Sequence, residues 1–83
     1  MDPRRKRLLF RCSHRGMKEN DILLGGFAAT HADNLTDAQL AGLEGLLDES
    51  DNDIYNWITG KEPVPETHDN DLMAWVRKFN NCL

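Results

Sequence analysis

Arg15-Gly16-Met17-Lys18-Glu19 places a cation, a glycine and an anion within five residues, just ahead of the first long apolar segment. Read as helix, residues 15 to 24 put Arg15 and Glu19 at i and i+4 on one face, and Gly16 leaves bare backbone beside the arginine. Local energetics do not favour the arrangement. Such a pair stabilises a helix by only about 0.2 to 0.5 kcal/mol, whereas glycine in a helix costs about 1 kcal/mol relative to alanine. A net local loss between two charged side chains points to recognition: a partner's main chain can approach closely at Gly16.

The other reactive side chains form no comparable set. Cys12 and Cys82 sit near opposite ends, make neither a C-x-x-C pair nor a disulfide framework, and are expected to be reduced thiols. Cys12 with His14, and the separate His31 and His68, lack the paired spacing of a zinc site, so no metal is expected. An enzyme using Glu19 with His14 or His31 would lack a nucleophile, a pocket and a third orienting group, so no catalytic residue is assigned.

A chain of 83 residues makes one domain and hides only a little over ~60% of its unfolded surface, too little for a deep catalytic cavity. Its 40% hydrophobic and 29% charged content is that of an ordinary soluble globular protein. Ile22-Leu23-Leu24 is far too short to span a bilayer, and Leu8-Leu9-Phe10 is cut off by Arg11 before it can form a signal core. No membrane insertion and no transit peptide are expected, which favours a bacterial cytoplasm. Charge is polarised along the chain. Residues 1 to 18 carry +6 and residues 19 to 83 carry −10, which together give the net −4. A basic arm on an acidic body suits nucleic acid, anionic lipid or an acidic protein surface; the acidic body argues against nucleic acid. The alternative reading is a small nucleic-acid-binding helical module that uses the basic N-terminal segment from Arg4 to Arg11. It predicts steeply salt-dependent binding and indifference to changes at Glu19.

These residues must be positioned by helices. Asp2 and Pro3 start a first helix that runs from about Pro3 to Ser13, with Leu8, Leu9 and Cys12 inward and Phe10 turned partly away. A second spans roughly Met17 to Ala32. Its Gly25-Gly26 pair predicts a close helix crossing, and His31 near its end reads as a cap-region side chain. Thr36 and Gln39 form a capping box for a third helix with Leu40, Leu43, Leu46 and Leu47 on one stripe. The fourth covers about Asp51 to Thr59 and stops at Gly60. Leu47, Tyr55, Trp57 and Ile58 are assigned to the core. Pro63 and Pro65 make a stiff connector, after which Thr67 caps a fifth helix with Leu72, Val76, Phe79 and Leu83 in register and Trp75 beside them. No segment alternates with period two. The expected fold is all-α, a single-domain five-helix bundle of short helices.

At this point the sequence resembles a known family. Arg15-Gly16-Met17-Lys18-Glu19, followed by Asp21 and Ile22-Leu23-Leu24, is similar to the R-G-x-x-E signature of the FAD assembly (flavinylation) factors of succinate dehydrogenase, the bacterial SdhE-type proteins and their mitochondrial counterparts. The similarity continues through Leu40-x-x-Leu43-Glu44-x-Leu46-Leu47-Asp48 and Asp51-x-Asp53-Ile54-Tyr55-x-Trp57-Ile58-x-Gly60, and so spans about residues 7 to 60. His14 stands where the family usually has a second arginine, Asn20 where it has leucine, and Leu43 where an aromatic is common.

The resemblance implies a protein that binds the flavoprotein subunit of succinate dehydrogenase, with that of fumarate reductase as a second client, and promotes covalent attachment of FAD to it. It implies no stably bound cofactor and a monomer when free. The implied partner-binding residues are Arg15, Gly16, Met17 and Glu19, with Arg11 and His14 upstream. In that picture Gly16 lets the helix lie against the client, Arg15 and Glu19 make charge-assisted contacts across the interface, and Met17 packs adaptably beside them.

Overall fold

The computed structural model describes residues 2–82. Five α-helices follow one another: α1 (Pro3–Ser13), α2 (Lys18–His31), α3 (Asp37–Leu47), α4 (Asp51–Thr59) and α5 (Asp71–Phe79), with 3-10 turns at Ala32–Asn34 and Glu66–His68. The described residues contain no strand. None of the helices is long and apolar enough to cross a membrane.

Local chemistry accounts for most of the boundaries. The Asp2 carboxylate accepts the Arg5 N–H at 2.8 Å, and Pro3 occupies the first helical position, where no donor is missed. Thr36 and Gln39 close the expected capping box, at 3.1 and 2.9 Å. Ser50 caps α4, and Gly60 ends it in the left-handed conformation at φ 80°. The fifth helix departs from expectation. Thr67 lies within the 3-10 turn, and Asn70 is the cap, accepting the Met73 N–H at 2.9 Å. The turn forms because His68 is drawn into the core, where its Nε2 lies 2.7 Å from Glu49 and its ring packs on Trp57. Leu83 lies outside the described residues.

Helices α1 and α2 form an antiparallel hairpin: Ser13 lies against Gly25, while Arg5 at the other end donates to the Ala32 and Leu35 carbonyls at 2.9 and 2.7 Å. The close crossing expected at the glycine pair falls on Gly25, where a Cβ would sit 3.0 Å from Ser13 Oγ and 3.3 Å from Ser13 Cα. Leu8, Cys12, Leu24, Phe27, Leu40, Leu43, Ile54, Ile58 and Val76 fill the centre. Helix α5 closes the far side. Arg77 donates to the Ile58 carbonyl, Asn80 to the Leu23 carbonyl, and Trp75 and Phe79 pack edge-on against Phe27 at 5.2 and 5.7 Å. Tyr55, expected in the core, is only half-buried and carries Lys61 Nζ 4.9 Å from its ring centroid.

Candidate partner-binding site

The Arg15-to-Glu19 stretch is not one helix. Residues 14 to 17 form the connection between α1 and α2, and α2 starts only at Lys18, with Met17 extended at its N-cap position. The i,i+4 pairing of Arg15 with Glu19 is therefore absent. Arg15 turns inward instead. Its Nε donates to Asp51 Oδ1 at 2.8 Å, Nη1 to the Leu47 carbonyl at 2.6 Å and Nη2 to the Glu49 carbonyl at 3.0 Å. The physical reason is the supply of acceptors. The last turn of α3 leaves the Leu47 carbonyl without a helical partner, and a guanidinium meets it, the Glu49 carbonyl in the connection to α4 and a carboxylate in one place. A single exposed Glu19 carboxylate offers a few tenths of a kcal/mol by comparison. Glu19 stays exposed in the first turn of α2, where its charge suits the helix dipole.

Gly16 is exposed and does not adopt a left-handed backbone. A Cβ there would meet only Asp51 Oδ2, at an ordinary 3.5 Å. Met17 is half-buried beside it, and Lys18 is exposed. His14 is exposed at the end of α1, stacked on Phe10 with ring centroids 4.0 Å apart, and its Nδ1–H donates to the Phe10 carbonyl at 2.9 Å. Phe10 itself is 61% exposed, so the outer side of α1 presents an apolar ring beside the loop. Arg11 reaches away to Asp48, at 3.1 Å. Of the six residues expected at the site, His14, Gly16, Met17 and Glu19 thus share the loop end of the hairpin, Arg15 lies beneath it, and Arg11 is diverted to α3.

Sequence reasoning did not find the support under this loop. Asp51 was legible as an acid at a helix start, but nothing local links it to a residue 36 positions earlier. Asn20 is fully buried and gives Nδ2 to the Asp51 carbonyl at 2.9 Å and to Asp51 Oδ1 at 3.2 Å, while its own Oδ1 has no partner. Burial pushes the Asp51 carboxyl upward, but hydrogen bonds from Arg15 and Asn20 together with the Arg15 charge outweigh it and hold the group below its usual range. Asp21 completes the frame by accepting the Arg15 backbone N–H.

The basic N-terminal segment is also less available than its composition implies. Arg4 forks onto Glu44 at 3.2 and 2.8 Å, Arg5 pairs with Asp2, Arg11 with Asp48 and Arg15 with Asp51. Among the described residues, Lys6, Arg7 and Lys18 have no ion pair. The Cys12 thiol, pushed by burial up to about 12, is a core side chain and no nucleophile.

Fold and surface together define a small all-α domain with an exposed loop, residues 14 to 17, at one end of a helical hairpin. A family described as "Flavinator of succinate dehydrogenase" matches residues 6–80, and the chain belongs to that family. It is 44% identical over 63 residues to the FAD assembly factor SdhE of Acetobacter pasteurianus, a match covering 76% of this chain and 58% of that protein. Against the mitochondrial succinate dehydrogenase assembly factor 2 of Dictyostelium discoideum it is 44% identical over 73 residues, 88% of this chain and 52% of the relative. The Danio rerio counterpart is 38% identical over 81 residues, 95% and 51% respectively. The chain spans about half the length of the curated relatives it matches.

Proposed function

We propose that this chain is an assembly factor that binds the flavoprotein subunit of succinate dehydrogenase and promotes covalent attachment of FAD to it, with the corresponding subunit of fumarate reductase as a second client. Its role is that of a chaperone with no catalytic residue. The attachment chemistry belongs to the flavin and to the client's own histidine; the chaperone favours the client conformation that holds the two within reach.

The observation that carries the reading is the state of Gly16. The fold does not require glycine there, since the backbone is unstrained and a Cβ meets nothing closer than 3.5 Å. The constraint then lies outside the chain, in a surface that comes against the loop. Membership in the flavinator family and the names of the relatives support the flavoprotein subunit as the bearer of that surface. Around Gly16, exposed Glu19 and Lys18 offer charge of both signs, and Met17 and Phe10 offer apolar contact. The nucleic-acid alternative gains no support, because three of the five cations it would use, Arg4, Arg5 and Arg11, are engaged in ion pairs within the chain.

The test is in-gel flavin fluorescence of the denatured flavoprotein subunit from cells with and without this protein. Covalent flavin is expected to fall in its absence and to be restored by wild type but not by Gly16→Arg, while the variant unfolds within a few degrees of wild type. Undiminished flavin in cells lacking the protein would overturn the function. Full restoration by Gly16→Arg would overturn the site.

A further inference from the structure

We propose that Asp51 is a positioning residue for the loop surface, acting through Arg15 from beneath, so that the arginine of the R-G-x-x-E stretch works inside the protein rather than across an interface. The functional part of this inference rests on the client-binding reading above; the geometric part does not. Every nitrogen of the Arg15 guanidinium already has an acceptor, and the side chain is only 14% exposed. One of those acceptors is the carbonyl of Leu47, the last residue of α3, one is the carbonyl of Glu49 in the connection to α4, and the third is the carboxylate of Asp51, the first residue of α4. One side chain therefore ties the α1–α2 connection to the junction between two other helices.

The Asp51 carboxylate touches both residues that open the stretch. Its Oδ1 accepts Arg15 Nε, and its Oδ2 lies 3.5 Å from where a Gly16 Cβ would be, so the same group anchors the arginine and forms the floor under the glycine. It is itself held from behind by Asn20, which gives both amide hydrogens to the Asp51 residue and leaves its own buried Oδ1 unpaired. A buried amide that forgoes a partner while donating twice to one residue marks Asp51 as the fixed point of the network. On the other side, the Arg15 N–H is held by Asp21. The course of residues 14 to 17 is thus set by a carboxylate more than thirty positions away.

A double-mutant cycle on the full chain separates positioning from contact. Arg15→Gln, Asp51→Asn and the double variant are compared with wild type for affinity to the flavoprotein subunit, for thermal unfolding, and for the backbone amide signals of Gly16, Met17 and Lys18 in the free protein. Each single variant is expected to weaken capture by about tenfold and to move those amide signals, and the double variant to be no weaker than either single one. Asp51→Glu, which keeps the charge but moves the carboxylate by one methylene, is expected to disturb the same amides and serves if Asp51→Asn does not fold. The inference is overturned if Asp51→Asn leaves capture unchanged or tighter while Arg15→Gln weakens it, because a freed arginine would then be making the contact. Additive losses, or loop amides unmoved in Asp51→Asn and Asp51→Glu, overturn it equally. Failure of wild type to capture the flavoprotein would defeat the function proposed above and leave the loop amides to decide the positioning claim.

Discussion

Gly25 and Gly16 lie on the same helical hairpin and are glycines for opposite reasons. At Gly25 the chain presses on Ser13, with a Cβ position 3.3 Å from a backbone carbon, and the crossing of α1 and α2 depends on the missing side chain. At Gly16 nothing in the chain presses back. The region around the first is held by packing, the region around the second by charge: Arg15, Asp51, Asn20 and Asp21 frame the loop with hydrogen bonds. Glycine is enforced from inside at Gly25, and no contact within the described residues enforces it at Gly16.

The contrast can be broken most strongly at the packed end. Gly25→Val must push α1 and α2 apart, and overpacking of this kind costs about 2 kcal/mol, a fall in Tm of roughly 8 to 16 °C for a domain of this size. A variant melting within a degree or two of wild type would show that Ser13 can yield and that the crossing is not tight.

The charged end should yield to acid instead. Asp51 is held below its usual range against burial by Arg15 and Asn20; Glu44 is lowered by the hydrogen bonds from Arg4, and Asp2 by the Arg5 backbone N–H. A carboxyl whose folded pKa lies below its unfolded value of about 4 stabilises the fold fully above that value and loses the contribution as pH falls through the folded one. Tm is therefore expected to stay level from pH 7 to about pH 5 and to drop below about pH 4, with a shallower drop in Asp51→Asn. An identical acid profile for Asp51→Asn would mean that the carboxylate contributes nothing to the pH dependence.

Asn20→Leu sharpens the comparison with the smallest effect. It removes two donors from Asp51 but also a buried unpaired oxygen, and leucine is the residue the family pattern usually carries there. Net stability should change by less than about 1 kcal/mol, since these opposing terms are of similar size, and Tm by less than about 8 °C. A loss above about 2 kcal/mol would show that the amide, rather than Arg15, is the main anchor of Asp51.

Much of this molecule was legible before any coordinates. Asp2-Pro3, the Thr36–Gln39 box and the Ser50-to-Gly60 segment each carry their own start or stop signals, because capping is chemistry between residues three or four apart. Gly25-Gly26 announced a close crossing because its propensity penalty called for compensation. The start of α5 was misread for a related reason. Thr67 and Asn70 are both competent caps, and the choice fell to His68, whose burial against Trp57 and Glu49 bends the intervening residues into a 3-10 turn. Tyr55 lay at the edge of the apolar stripe, and only the position of Lys61 shows which way its ring faces.

The site divides along the same line. The sequence by itself marked residues 15 to 19 as the segment proposed to face a partner, because a glycine between charges, in the order and spacing of a family signature, is a local pattern. The direction of Arg15 was decided only by tertiary structure. A guanidinium goes where the most acceptors converge, and here they converge at the end of α3 and the start of α4, a junction that does not exist until the bundle has closed.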